Sequence, residues 1–305
     1  MPCRCVKSWM QAVATRDWML RPSVRLPFRR QSKNAALGLV IISLEGIVFW
    51  VASSYLPQLL AVVYEPSELM VSVRFAFIFY GSIPLVLLFS WYASRYRDVR
   101  TIGVVGFLGF TIMAACLASA NVEQNAAVWA FTFFGCIGQA GGLVSIFTAA
   151  QFGAPADLVA DLTALLISLR SFGGAVGLGA CSAIFNSQAA KTIGPTVASR
   201  VLPLGLPVSS LGALIGGISS FHFADLPLIP GVTPEIIQAG VLGFKEGFLR
   251  SQRGNWILMA AMSFLGAIVI CFISNHKEMY VDRTDAPLTA RTAELKEDGV
   301  VVESA

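Results

Sequence analysis

The chain has 305 residues, 55% of them hydrophobic and 13% charged, with a mean hydropathy of +0.69. Soluble domains carry about 25% charged residues, so this composition excludes a water-facing globule, a disordered chain, a collagen, a coiled coil and a secreted disulfide scaffold, and implies an integral membrane protein. The net charge of +4 is no sign of a nucleic-acid partner, because only Glu123, Asp157, Asp161 and Arg170 are charged between residues 101 and 190.

Residues 1–35 read as a basic cytoplasmic tail. Eight Lys and Arg lie in the first 33 positions against one acid, Asp17. The segment has some likeness to a mitochondrial transit peptide, but a juxtamembrane tail attracted to anionic lipid is the simpler reading. Cys3 and Cys5 form a C-x-C without a second pair, so no metal site is expected there. Cys116, Cys136, Cys181 and Cys271 fall in apolar segments, where cysteine serves as a small hydrophobe.

Six stretches are long enough to cross about 30 Å of hydrocarbon. They run over Ala36–Val63, Leu69–Tyr92, Thr101–Ala120, Ala127–Ala149, Leu162–Asn186 and Asn255–Ser274. The expected fold is therefore an all-α, six-helix membrane bundle over 36–275, followed by a polar tail over 276–305. The short connection between the second and third spans carries Arg95, Arg97 and Arg100. Those after the first and third spans carry Glu65, Glu68 and Glu123 and no base. Both termini are accordingly expected on the cytoplasmic side. Pro57 and Pro84 are expected kinks, and Arg74 is expected to snorkel to the outer interface.

Residues 187–254 are read as an outside loop before the last span. Within it, Thr233 can cap a helix with Pro234 at its first position, and Ile237, Val241, Phe244 and Phe248 follow at helical spacing. An amphipathic helix lying on the membrane or the bundle is expected there. The uncharged stretch Val201–Phe221 could be a seventh span, although Pro203, Pro207 and Gly216-Gly217 favour a surface or re-entrant segment.

No catalytic constellation is visible, and neither an enzyme nor a cofactor is expected. His222 and His276, the only histidines, have no nucleophile motif near them, and there is no phosphate-binding loop. The glycine runs Gly141-Gly142 and Gly173-Gly174 with Gly177 lie inside spans, where they serve close helix packing.

Polar residues inside spans carry the functional signal, since each charge at mid-membrane costs about 2.5–3.5 kcal/mol on insertion scales. At about 1.5 Å per residue, Glu45 lies roughly 14 Å and Arg170 roughly 12 Å from one face. Gln139 lies roughly 18 Å from the other, so all three converge near the midplane. Transporters place substrate and ion sites at that depth, but an ion pair that only holds helices together fits the same pattern.

Several stretches carry a family resemblance. They include Leu44-Glu45-Gly46, Tyr55-Leu56-Pro57-Gln58, Gly153-Ala154-Pro155-Ala156 and the run from Leu162 through Ser168-Leu169-Arg170-Ser171 to Gly177. Ala183-Ile184-Phe185-Asn186, the Leu202–Ser210 stretch and the Pro230–Glu235 turn extend it. Over about residues 35–280 the chain resembles the C-terminal half of a fungal major facilitator transporter. It is most similar to the trichothecene efflux pump family, near siderophore transporters and other drug:proton antiporters.

That resemblance implies proton-coupled efflux of small organic compounds such as mycotoxins or drugs, most readily at the plasma membrane, with a vacuolar or other internal membrane as the alternative. Glu45 would be the protonatable site, Arg170 its counter-charge and Gln139 a hydrogen-bonding group of the cavity. Members of that family carry a preceding six-helix bundle, so a truncated gene product, a second half or a homodimer is also implied. Siderophore transport by the same fold, or a non-transporting regulatory subunit, are the rival expectations.

Overall fold

The computed structural model describes residues 25–152, 159–220 and 226–275. Seven α-helices and no strands occur among them. In chain order these are α1 (Arg25–Leu59), α2 (Glu68–Tyr96), α3 (Val99–Ala118), α4 (Asn125–Phe152), α5 (Val159–Val201), α6 (Val208–Ser219) and α7 (Pro234–Ile270). Six of them, all but α6, are long and apolar enough to cross a membrane. The chain is a multi-pass membrane protein built as a helical bundle. The metal-free and tail readings at Cys3, Cys5 and 276–305, both histidines, Asp157 and the Gly153–Ala156 stretch lie outside the described residues.

The order of packing is α2 on α4, α4 on α3, α3 on α7, α7 on α5 and α5 on α1, while α1 also touches α4 and α7 and so occupies the middle. With no water in the bilayer to drive helices together, close approach depends on small residues. On α3 and α4, a Cβ at Gly106 would sit 2.6 Å from the Gly142 nitrogen, and one at Gly141 would sit 2.8 Å from the Gly106 Cα. The Ser263 hydroxyl of α7 donates to the Phe107 carbonyl of α3 at 2.7 Å, giving a polar tie where hydrocarbon offers no other partner.

Three sequence expectations change. Helix α1 begins at Arg25, so the end of the supposed tail is helical. Residues 187–254 are largely helix rather than loop: α5 continues to Val201, and α7 starts at Pro234 and runs without a break into the last span. The helix capped by Thr233, whose hydroxyl accepts from the Ile236 N–H, is therefore the start of α7 and not a separate surface helix. At 43 and 37 residues these helices are about 64 and 56 Å long, well beyond the hydrocarbon thickness.

Their extensions pack side by side because α7 offers glycines. Cβ atoms at Gly243 and Gly247 would meet the Val197 and Ile193 Cα atoms at 3.0 and 2.9 Å. Val197, Val201, Leu214, Ile218, Leu226 and Ile236 form a small core of their own there. Helix α6, the candidate seventh span, has 12 residues and about 18 Å of length, too short to cross. It covers the extensions instead.

The end of the bundle where α1 starts is closed by hydrogen bonds. Asn34 donates to the Ser274 carbonyl at 2.7 Å and accepts from the Ser274 N–H at 3.0 Å. Helix α2 ends at Arg97, whose left-handed backbone (φ 54°) turns the chain into Asp98, the N-cap of α3. Asp98 accepts from the Thr101 N–H and hydroxyl and from the Asn275 amide at 2.7 Å. Partial burial raises the Asp98 carboxyl, but the hydrogen bonds from Thr101, Asn275 and the Arg100 backbone outweigh it and hold it below its ordinary value.

A carboxyl whose folded value is depressed stabilises the fold above its unfolded value, about pH 4, and that contribution disappears as pH falls through the folded value. Asp98→Asn is therefore expected to lower the apparent melting temperature at pH 7. The gap between variant and wild type should close as pH drops below about 4. Melting followed downward from pH 7 checks this, and a gap that does not narrow at all below about pH 4 would assign the effect to shape instead of charge.

Candidate functional site

Glu45 sits on the middle helix, α1, and is wholly buried. Arg170 reaches it from α5 through a side-on fork, Nε to Oε2 at 2.5 Å and Nη2 to Oε1 at 2.9 Å. The local sequence explains the approach. A Cβ at Gly46 would collide with the Arg170 carbonyl, and one at Gly173 with the Ser43 carbonyl, so glycines on both helices bring the backbones into contact beside the charges. A Cβ at Gly174 would strike the Trp50 ring, and one at Gly177 would lie 2.8 Å from Ile47.

The pair is not symmetrical. Glu45 is 0% exposed and the Arg170 side chain 20%. The guanidinium also lies 4.1 Å from the centre of the Phe49 ring, one turn along α1 from Glu45. A ring face held against a cation in a dry setting can contribute about 2 kcal/mol. Phe49 was not singled out in the sequence, although its i+4 spacing from Glu45 was the available signal.

Gln139 on α4 is nearly buried, and its Oε1 has no hydrogen-bond partner among the described residues. It makes no bond to Glu45 or Arg170. One turn along the same helix, Gly142 lies beside the acid: a Cβ there would stand 3.7 Å from the Glu45 Cγ, an ordinary contact. The structure thus brings Glu45 and Arg170 together and places Gln139 on the neighbouring wall.

Arg74 departs from the snorkelling expectation. Its side chain is 1% exposed and is held by Glu65 at 2.6 Å, by the Asn125 side chain at 2.6 Å and by the Asn125 carbonyl at 3.1 Å. Its Cζ also lies 4.7 Å from the Trp129 ring centre. Arg74 is a clasp that ties the α1–α2 turn to the start of α4. A further polar level was missed entirely. Gln252 and Asn255 on α7 are fully buried without side-chain hydrogen bonds among the described residues, and Asn255 lies near Tyr55.

No group of three or more His, Cys, Asp or Glu suited to a metal occurs among the described residues. Chemically, the site is a buried, titratable carboxylate gripped by a partly accessible guanidinium inside a membrane bundle. No protein-family model matches the chain. No curated protein matches it either.

Proposed function

We propose that the chain is a major facilitator-type membrane transporter component that couples proton movement to efflux of a small organic compound, with Glu45 as the proton site and Arg170 as its partner. The observation that carries this reading is the Glu45–Arg170 pair, a fully buried acid opposite a cation that keeps one side open. Ionisable groups at that depth are expensive in hydrocarbon and usually serve a pathway.

In this reading, a proton taken up by Glu45 cancels the charge that holds the fork. Arg170 then has a free guanidinium edge beside Phe49 for a substrate acceptor, and Gln139 offers a hydrogen-bonding group from α4. Deprotonation restores the fork and dismisses the substrate. The end of the bundle near Asp98 and Asn34 is assigned to the cytoplasm on the basis of the arginines at 95, 97 and 100. In this reading the opposing wall is a second bundle, from another half or a second copy, and the exposed apolar faces on α2 (Tyr80, Leu87, Trp91) and α5 (Ile167, Phe172, Val176) are open to it or to lipid.

The test is efflux from cells lacking their own pumps, scanned across mycotoxins, drugs and siderophores, with and without an imposed pH gradient. Glu45→Gln should remove the response to the gradient. Gradient-driven efflux at wild-type rate in that variant would overturn the assignment.

A further inference from the structure

At the end of the bundle remote from Asp98, a crevice of about 480 Å3 opens between the α3–α4 turn and the extensions of α5 and α7. Glu123, Arg200, Glu246, Leu249, Arg250 and Arg253 are among its lining residues. Three arginines face two glutamates, so it carries a net positive charge. The usual helical partner of Arg250 is the acid four residues before it, Glu246. That acid is already committed to Arg200 through two bonds, at 3.0 and 2.5 Å. Among the described residues the Arg250 and Arg253 side chains have neither an ion pair nor a hydrogen bond.

The two free guanidinium groups head a stripe along the outer face of α7. Arg250, Arg253, Ile257, Ala261, Phe264 and Ile268 recur at steps of three and four and are all exposed. Ile257 is 61% exposed and Phe264 52%. From Arg253 to Ile268 the stripe is about 22 Å long, comparable with one leaflet's depth. Forked donors at the head of an exposed apolar track match a phosphate joined to a hydrocarbon chain.

We propose that this face binds an anionic phospholipid, with its phosphodiester on Arg250 and Arg253 and an acyl chain along Ile257, Phe264 and Ile268. A free phosphate would use the arginines and leave the track unexplained, which is why the lipid is the assigned source. Glu123, the other acid of the crevice, opposes the binding and limits it.

The full chain, purified in detergent and stripped of lipid, would be given dioleoylphosphatidylglycerol, dioleoylphosphatidylcholine or inorganic phosphate. Retained lipid is counted by native mass spectrometry, and protection is read from the melting temperature. The wild type should retain phosphatidylglycerol in preference to phosphatidylcholine. Arg250→Gln with Arg253→Gln should weaken that retention roughly 30-fold, the factor expected for two cations near a headgroup. Glu123→Gln, which leaves the arginines intact, should strengthen it, and Phe264→Ser should weaken it without a change in charge. Equal retention by the wild type and the double variant overturns the proposal. So does protection by inorganic phosphate equal to that by the lipid, which would make the crevice a free-anion site.

Discussion

Arg170→Met is expected to lower the stability of the bundle by about 3–5 kcal/mol, because it leaves the fully buried Glu45 carboxylate without its fork. Glu45→Met should cost less. The guanidinium left behind keeps one accessible edge and the Phe49 ring, whereas the abandoned carboxylate has neither. The double variant, with apolar side chains of similar length at both positions, should regain most of the loss, since a buried pair stabilises little relative to apolar packing. Thermal survival in detergent across the four proteins gives the coupling. Additive losses, with no recovery in the double variant, would mean that the two side chains do not meet.

The second large effect is expected at Arg74. Arg74→Leu strands Glu65, which is 14% exposed, and removes both bonds to Asn125, for a loss of about 3–5 kcal/mol. Arg74→Lys keeps the charge, and one ammonium can serve the acid and the amide oxygen that Nη1 alone now serves, but it loses the Nη2 bond to the Asn125 carbonyl, so it should fall between leucine and wild type. Melting temperatures of the three proteins decide the matter. A leucine variant as stable as wild type would return Arg74 to the role of a surface cation.

The two arginines also show what the sequence could and could not reveal. Arg170 lay deep in an apolar span at nearly the same expected depth as Glu45, and two opposite charges at one level in hydrocarbon have few alternatives to meeting. Arg74 lay near a span end, where water is normally available. Nothing local announced that Glu65 and Asn125 fold over it, because that burial depends on two turns from distant parts of the chain meeting.

The continuity of α7 was hidden for a different reason. Its buried face begins with Ile236, Gly240 and Phe244 and continues through Gln252 and Asn255 to Met259. Those two amides, with Arg250 and Arg253 on the outer face, depress the local hydropathy and made one helix look like a separate surface helix followed by a span. The glycines at 240, 243 and 247 carried the opposite message, since their four- and three-residue steps mark a helix made for close packing.

The length of α5 gives it the mechanics of a pointer. From Arg170 to Pro195 is 25 residues of continuous helix, about 38 Å. A rocking of α5 by about 10° around Arg170 would carry the Pro195 level through about 7 Å on that lever arm. The same arm is fastened to α7 by Thr192 to Ser251 and by Arg200 to Glu246, and Lys245 of α7 grips the Val63 carbonyl in the helical turn that follows α1. A rotation of α5 about the Arg170 level would thus be carried to α7 beyond the apolar span, and the Lys245 contact would pass it back toward the helix that carries Glu45.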